Sequence, residues 1–303
     1  MNPLSTLLVL RWLVRDTFRQ ALHSGVFWLL LAVSVICVAL CLTTTVIETP
    51  DDSGRLELAF GAIQVPLDRG RAAAVRTLEV FLAGWVADAL GLLLALMGTA
   101  GFLPSFLEAG SASVLLAKPV PRWGLLAGKC AGIVTFVAVQ DGFFLAGTWL
   151  ALGLRTGVWD AAYLLCLPVL LLHFAVFFSF SAMLATATRS TVACMFGSIL
   201  FWLLCWAMNL GRHWFVLVPD LHNAAAGLGH TIELGYWLLP KPLDCHLLLL
   251  GTLPDDPLLS RVLDMHALAA RGGWRPAASV LASCISALVL LAVAAYDFVT
   301  ADY

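Results

Sequence analysis

Six long apolar runs, separated by stretches rich in proline, glycine and charge, organise this chain. They fall at about 25–47, 78–103, 125–152, 161–187, 192–210 and 277–298. Each is close to or above the roughly 20 residues a helix needs to cross a bilayer. Inside hydrocarbon no water is present to satisfy free N–H and C=O groups, so each run must be helical. The pattern predicts an all-α polytopic membrane protein, with residues 1–303 forming a single transmembrane domain of six helices. Ahead of the first run, residues 3–23 carry Arg11, Arg15 and Arg19 at four-residue spacing, while Leu8, Trp12, Leu13 and Phe18 face elsewhere. Three arginines in a hydrocarbon core would cost several kcal/mol. The segment therefore reads as an interfacial helix whose arginines reach lipid phosphates. It does not read as a cleavable signal, because those arginines fall inside its apolar stretch.

Between the runs, two long loops, 48–77 and 211–276, are predicted on one side of the membrane. Shorter connectors, 104–124 and 188–191, lie on the other side with both termini. Lys and Arg favour cytoplasmic loops. The side with the termini holds Arg11, Arg15, Arg19, Lys118, Arg122, Lys129 and Arg189. The opposite side holds Arg55, Arg69, Arg71, Arg76 and Arg155, plus five basic residues in the last loop. Long loops count for less, so charge leans to cytoplasmic termini.

Composition sharpens this picture. The chain is 61% hydrophobic and 12% charged, with a mean hydropathy of +0.93. Soluble domains are about 45–50% apolar and about 25% charged, so a soluble enzyme is excluded. The formal net charge of −2 gives no reason to expect a nucleic-acid partner. The eight cysteines include no CxxC pair, and seven lie in or beside apolar runs, where cysteine acts as a small hydrophobe.

The connector "LLAKPVPRWGLLAGK" (Leu115 to Lys129) poses the question of nucleotide binding. A phosphate loop needs G-x-x-x-x-G-K-[ST] after a strand. Gly124 and Gly128 are one residue too close for that. Cys130 occupies the magnesium-ligand position, and a membrane helix follows. Nucleotide binding by this chain is therefore not expected. Instead, Ser105 to Ala117 reads as a short helix carrying Glu108. Pro119 and Pro121 stop it, because proline lacks an N–H and disfavours helix before it. Trp123 and Arg122 mark the membrane surface.

That stretch, "FLEAGSASVLLAKPVPRWGLLAGK", resembles the first cytoplasmic connector of type-2 ABC-transporter permeases. Glu108, Gly110, Leu115, Leu116, Lys118, Pro119, Arg122, Gly128 and Lys129 match the family pattern, and Ser111 and Ala112 depart from it. "RDTFRQALHSGVFWLLL" (Arg15 to Leu31) is similar to the family's entry helix and first span. The closest group is that of gliding-motility and copper-enzyme-maturation exporters. The resemblance implies an ATP-driven exporter of the bacterial cytoplasmic (inner) membrane. It implies a pair of permeases, as a second copy or a paralogue, resting on a separate ABC ATPase subunit. Residues 104–124 would be the coupling helix that the ATPase grips, through Glu108, Gly110, Lys118, Pro119 and Arg122. ATP and magnesium would sit on that partner, with no cofactor in this chain.

Polar residues at membrane depth are functional candidates. Asp88 lies in the second run, near enough to its outer end for water to reach it. Gln140 and Asp141 lie in the third and His173 in the fourth. Asp141 could be satisfied by Gln140 or His173. An Asp141–His173 proton relay would instead fit a secondary transporter, although no inverted repeat accompanies it. The last loop carries His213, His222, His230, His246, His266 and Cys245. Their spacing matches no compact metal-ligand motif, but a membrane acyl or glycosyl transferase would have to draw its catalytic groups from them. Residues 223–244 are expected to form short helices dipping into the outer interface, anchored by Tyr236 and Trp237 and ended by Pro240 and Pro242.

Overall fold

The computed structural model describes residues 3–47, 55–66, 70–108, 121–218, 226–253, 268, 271 and 273–300. Its elements follow the apolar pattern. An N-terminal helix, α1 (Pro3–Leu22), breaks at His23–Ser24 before the first span, α2 (Gly25–Leu42). Span two is assembled from α3 (Arg71–Val80), a π-helical stretch (Phe81–Gly91), α4 (Leu92–Thr99) and a last short turn, α5 (Phe102–Phe106). Spans three to six are α6 (Arg122–Thr156), α7 (Cys166–Thr188, entered through a 3₁₀ turn at Ala161–Leu165), α8 (Thr191–Leu217) and, after two short helices, α11 (Pro276–Thr300). All six are long and apolar enough to cross a membrane. The short helices between spans five and six are α9 (Ala226–Leu238) and α10 (Pro242–Gly251).

Local chemistry explains the ends. Gly157 terminates α6 at φ 73°, a left-handed conformation that glycine adopts without strain. Ser190 caps α8, its Oγ accepting from the Ala193 N–H at 3.4 Å. Asp160 caps the 3₁₀ turn, accepting from Ala162 N–H at 3.0 Å.

The two ends of the bundle are tied differently. At one end, Lys129 is 1% exposed. Its ammonium donates to Asp16 Oδ2 (2.8 Å) and Gln20 Oε1 (3.0 Å), fastening α1 to span three. Gln20 also donates to Ser105 Oγ, 2.5 Å away, and Arg122 donates to the Val299 carbonyl at 3.1 Å. Here α1, the end of span two, the start of span three and the end of span six are held together. A Cβ on Gly132 would lie 2.8 Å from Thr17 Oγ1, so this glycine permits the close approach of α1. At the other end, Arg155 donates to Thr44 O, Arg71 to Thr156 O, and Arg76 pairs with Asp160 at 3.1 Å.

Four expectations change. The loop at 48–77 is more structured than a polar connector. β1 (Thr45–Ile47), β2 (Arg55–Leu58) and β3 (Ile63–Pro66) form an antiparallel meander, pairing Val46 with Leu56 and Leu56 with Val65. Alternation along β2 buries Leu56 and Leu58 and leaves Arg55 to pair with Glu57. Residues 71–77 already belong to span two, and 211–217 to span five. Pro104 does not end span two. The helix pauses at Ala100–Gly101, and Pro104 is buried in the extra turn, α5. Finally, α9 and α10 form a hairpin that enters the bundle, and Pro242 opens α10 as its first helical residue, where its missing N–H costs nothing.

Candidate functional site

One buried polar cluster starts from the π-helical stretch of span two. A π-helix carries wider turns than an α-helix and recurs at functional sites. Here it carries Gly84, Trp85 and Asp88. Asp88 is 3% exposed. Its Oδ1 lies 2.5 Å from His173 Nδ1 on span four, and its Oδ2 lies 2.7 Å from His246 Nδ1 on α10. Each imidazole donates its Nδ1–H to the carboxylate, which fixes the ring and leaves Nε2 to face elsewhere. His173 is 2% exposed and its Nε2 has no hydrogen-bond partner. Leaving a buried polar atom unmatched costs about 1–3 kcal/mol. Gly84 makes the arrangement possible: a Cβ there would come within 3.0 Å of Leu250 and 3.1 Å of His246.

A cavity of about 500 Å³ adjoins this triad. Its wall carries Trp85, Trp202, Trp206 and Trp214 together with Asp88, His173 and His246. Trp202 Nε1 is likewise buried without a hydrogen-bond partner.

A second carboxylate cluster fixes the hairpin. Asp244, on α10, is 2% exposed. Its Oδ1 accepts from Asn209 Nδ2 at 3.0 Å and lies 2.9 Å from His213 Nε2. Its Oδ2 accepts from Tyr236 OH at 2.6 Å and from Ser279 Oγ. The Asn209 carbonyl returns a bond to the Asp244 N–H at 3.0 Å. Spans five and six and both hairpin helices thus meet on one side chain. Ser279 donates to the aspartate and not to His213, so the cluster is not a nucleophile–base–acid relay. Tyr236 is 2% exposed and is a core residue of the hairpin, not a headgroup anchor. Trp237, 41% exposed, donates to Glu233 Oε1 at 2.7 Å. At the hairpin tip, Lys241 stacks over the Tyr236 ring at 4.7 Å. Burial pushes its ammonium down to about 8, against the opposing pull of Asp244.

The remaining predicted residues lie as follows. Gln140 donates to Ser34 Oγ at 3.1 Å, tying span three to span one. Asp141 borders a small pocket with Gln140 and Ser34 and does not meet His173, which is committed to Asp88. Arg11, Arg15 and Arg19 are exposed on α1, while Leu13, Thr17 and Ala21 are buried. Trp12, 46% exposed, shares the open side with the arginines. Glu108 is exposed just beyond α5. Gly110, Lys118 and Pro119, with residues 109–117 of the helix expected over Ser105 to Ala117, lie outside the described residues, as do His222 and His266. Sequence reasoning did not single out Asp16, Gln20, Glu79 (1% exposed in span two), Asp244 or the inward roles of Lys129 and His246. A buried-charge signal existed for Glu79 and Lys129, since both sit among apolar neighbours. Their partners could not be read from spacing.

Six apolar spans, a helix lying against one end and buried carboxylates inside define a polytopic integral membrane protein. The comparison with protein families agrees: the family described as ABC-2 family transporter protein matches residues 11–303. The chain belongs to that family, and is accordingly a membrane permease of an ABC transporter. The family implies a partner ABC ATPase. No individually curated protein matches the chain.

Proposed function

We propose that this permease serves an exporter, coupling ATP hydrolysis on a separate ATPase subunit to movement of cargo out of the cytoplasm. ATP and magnesium belong to that subunit. Two permeases, identical or paralogous, pair in the bacterial inner membrane with their termini and the 104–124 connector in the cytoplasm.

The observation that carries this reading is the clamp at the connector end of the bundle. Glu108 is exposed where span two stops. Three residues earlier, Ser105 is bonded to Gln20, and Gln20 shares Lys129 with Asp16. A soluble subunit gripping Glu108 would therefore push on spans two and three and α1 together. Rigid-body displacement of packed helices is a common means of transmitting a switch. Lys118, Pro119 and Arg122 follow in the same connector, and Arg122 binds the end of span six.

The test is charge reversal at the grip. In a reconstituted permease–ATPase complex, Glu108→Arg should lower coupled ATP hydrolysis about tenfold, since one to two kcal/mol of interface energy would be lost. The permease itself should still fold, because the side chain is exposed. Unchanged coupling would remove Glu108 from the interface.

A further inference from the structure

We propose that the turn between β2 and β3 is a membrane-surface anchor: Phe60 inserts into the bilayer, at the boundary of headgroups and acyl chains, beside the end of span one. This depends on the membrane spans alone and is independent of the exporter reading. Phe60 stands in a turn of small residues, with Ala59 before it and Gly61 and Ala62 after. Turns that need positive φ favour glycine, asparagine or aspartate. Here Ala59, Phe60 and Gly61 are all left-handed, at φ 54°, 58° and 93°. A bulky side chain is strained in that conformation. Its ring gains no packing in return: Phe60 is 93% exposed, whereas Leu58, two residues earlier, is buried. Neither the turn nor the core accounts for a large apolar residue at this position.

Register sets where the tip lies. β1 begins at Thr45, just past the end of span one and opposite Glu57, and runs out to Ile47, opposite Arg55. β2 therefore runs back toward the end of span one, and Leu58 pairs with Ile63 across the turn. A hydrogen bond fixes the return: Ala59 N–H donates to Thr43 Oγ1 at 3.0 Å, and Thr43 is the residue on which α2 ends. The same end of the bundle carries the groups that mark a membrane boundary. Arg155 donates to the Thr44 carbonyl. Trp159, exposed, packs edge-on against Trp149. Phe60 is thus one residue from the point where span one reaches that boundary.

The chemistry of the tip suits lipid. Residues 59–63 carry no charge. The nearest charge, Glu57, is engaged by Arg55 at 3.1 Å and by Gln64 at 3.4 Å. Ala62 N–H is satisfied within the turn by Ala59 O. Leu42, at the end of span one, and Ile63, at the start of β3, are exposed apolar residues as well. One projecting ring among small neighbours is a wedge, not the broad apolar face that a protein partner covers. Phenylalanine and leucine seat in the headgroup–acyl boundary when their backbone lies along the surface. Gln64, exposed next in the chain, keeps the insertion shallow.

The test is Phe60→p-benzoylphenylalanine in the full chain, in phosphatidylcholine nanodiscs. The substituted side chain is exposed, so the fold should tolerate it. After illumination, trypsin cutting at Arg55 and Arg69 isolates the turn on the peptide 56–69. That peptide should gain the mass of one phospholipid. A peptide with no lipid adduct, or one joined to a second copy of the chain, overturns the anchor. In native membranes, an adduct with another protein in place of lipid makes the tip a docking site and also overturns it. A second measurement uses Phe60→para-trifluoromethylphenylalanine, which keeps a ring of near-native size and gives one fluorine resonance. Lipid carrying a nitroxide at the head of its acyl chain should broaden that resonance, and a water-soluble gadolinium chelate should not. Broadening by the chelate alone overturns the proposal.

Discussion

Two aspartates in this protein are buried to nearly the same degree beside histidines, yet their surroundings differ. Asp244 gathers Asn209, His213, Tyr236 and Ser279 from three other elements, and its oxygens are filled by protein groups. Among the described residues Asp88 is met by His173 and His246, and a cavity of about 500 Å³ opens beside it. His213 stands 2.9 Å from Asp244 as an ion-pair neighbour, with both ring nitrogens outside hydrogen-bond geometry. A buried charge left without partners is far more costly than one well paired. The Asp244 cluster is what a structural pin needs. The Asp88 cluster, with fewer partners, borders open space instead.

Substitutions should separate the two regions. Asp244→Ala should have the largest effect on folding. It would strip Asn209, Tyr236 and Ser279 of their common acceptor and cost about 3–5 kcal/mol, read as a large fall in thermal midpoint in nanodiscs. Asp88→Asn should cost less, about 2 kcal/mol, because the amide can still meet one imidazole. If both variants lose stability equally, the contrast between the two clusters fails.

Smaller effects sharpen the picture. Lys129→Met should loosen α1 at a cost of about 1–2 kcal/mol. Asp16 is 44% exposed on its side chain and can rehydrate, so the loss should stay modest. Protease sensitivity near His23–Ser24 should rise while the spans remain protected. A further effect concerns pH. Lys241 titrates near 8 when folded, against 10.5 for an ordinary lysine. Between those values the unfolded chain binds more protons, so stability should rise with pH across about 8 to 10.5. Lys241→Met should flatten that rise in a melting series.

The six spans were legible because an apolar run of 20 residues in lipid has one solution, the helix. The hairpin was not. α9 and α10 have 13 and 10 residues, below the spanning threshold, and such segments look like loop helices until their partners are known. Those partners are remote: His246 is 158 residues from Asp88, and Lys129 is 113 from Asp16. Periodicity reports which face of a helix is apolar, not which distant carboxylate meets a buried cation. Asp88 and His173 were each recognisable as polar residues at membrane depth. Their pairing, and the replacement of Asp141 by Asp88 as the histidine's partner, required the packing of spans two and four. The π-helical stretch that presents Asp88 has no sequence signature of its own. The connector around Glu108 was recognised by its resemblance to the permease family, and its attachment through Ser105, Gln20 and Lys129 gives that recognition a mechanical basis.

The most direct test of the central claim is co-purification. The tagged chain, expressed with its genomic neighbours and extracted in mild detergent, should bring down a soluble subunit that hydrolyses ATP in stoichiometric amount. That subunit should be lost from the Glu108→Arg variant while the permease itself remains folded. A folded permease that purifies alone under every such condition, with no nucleotide-hydrolysing partner, would contradict the account.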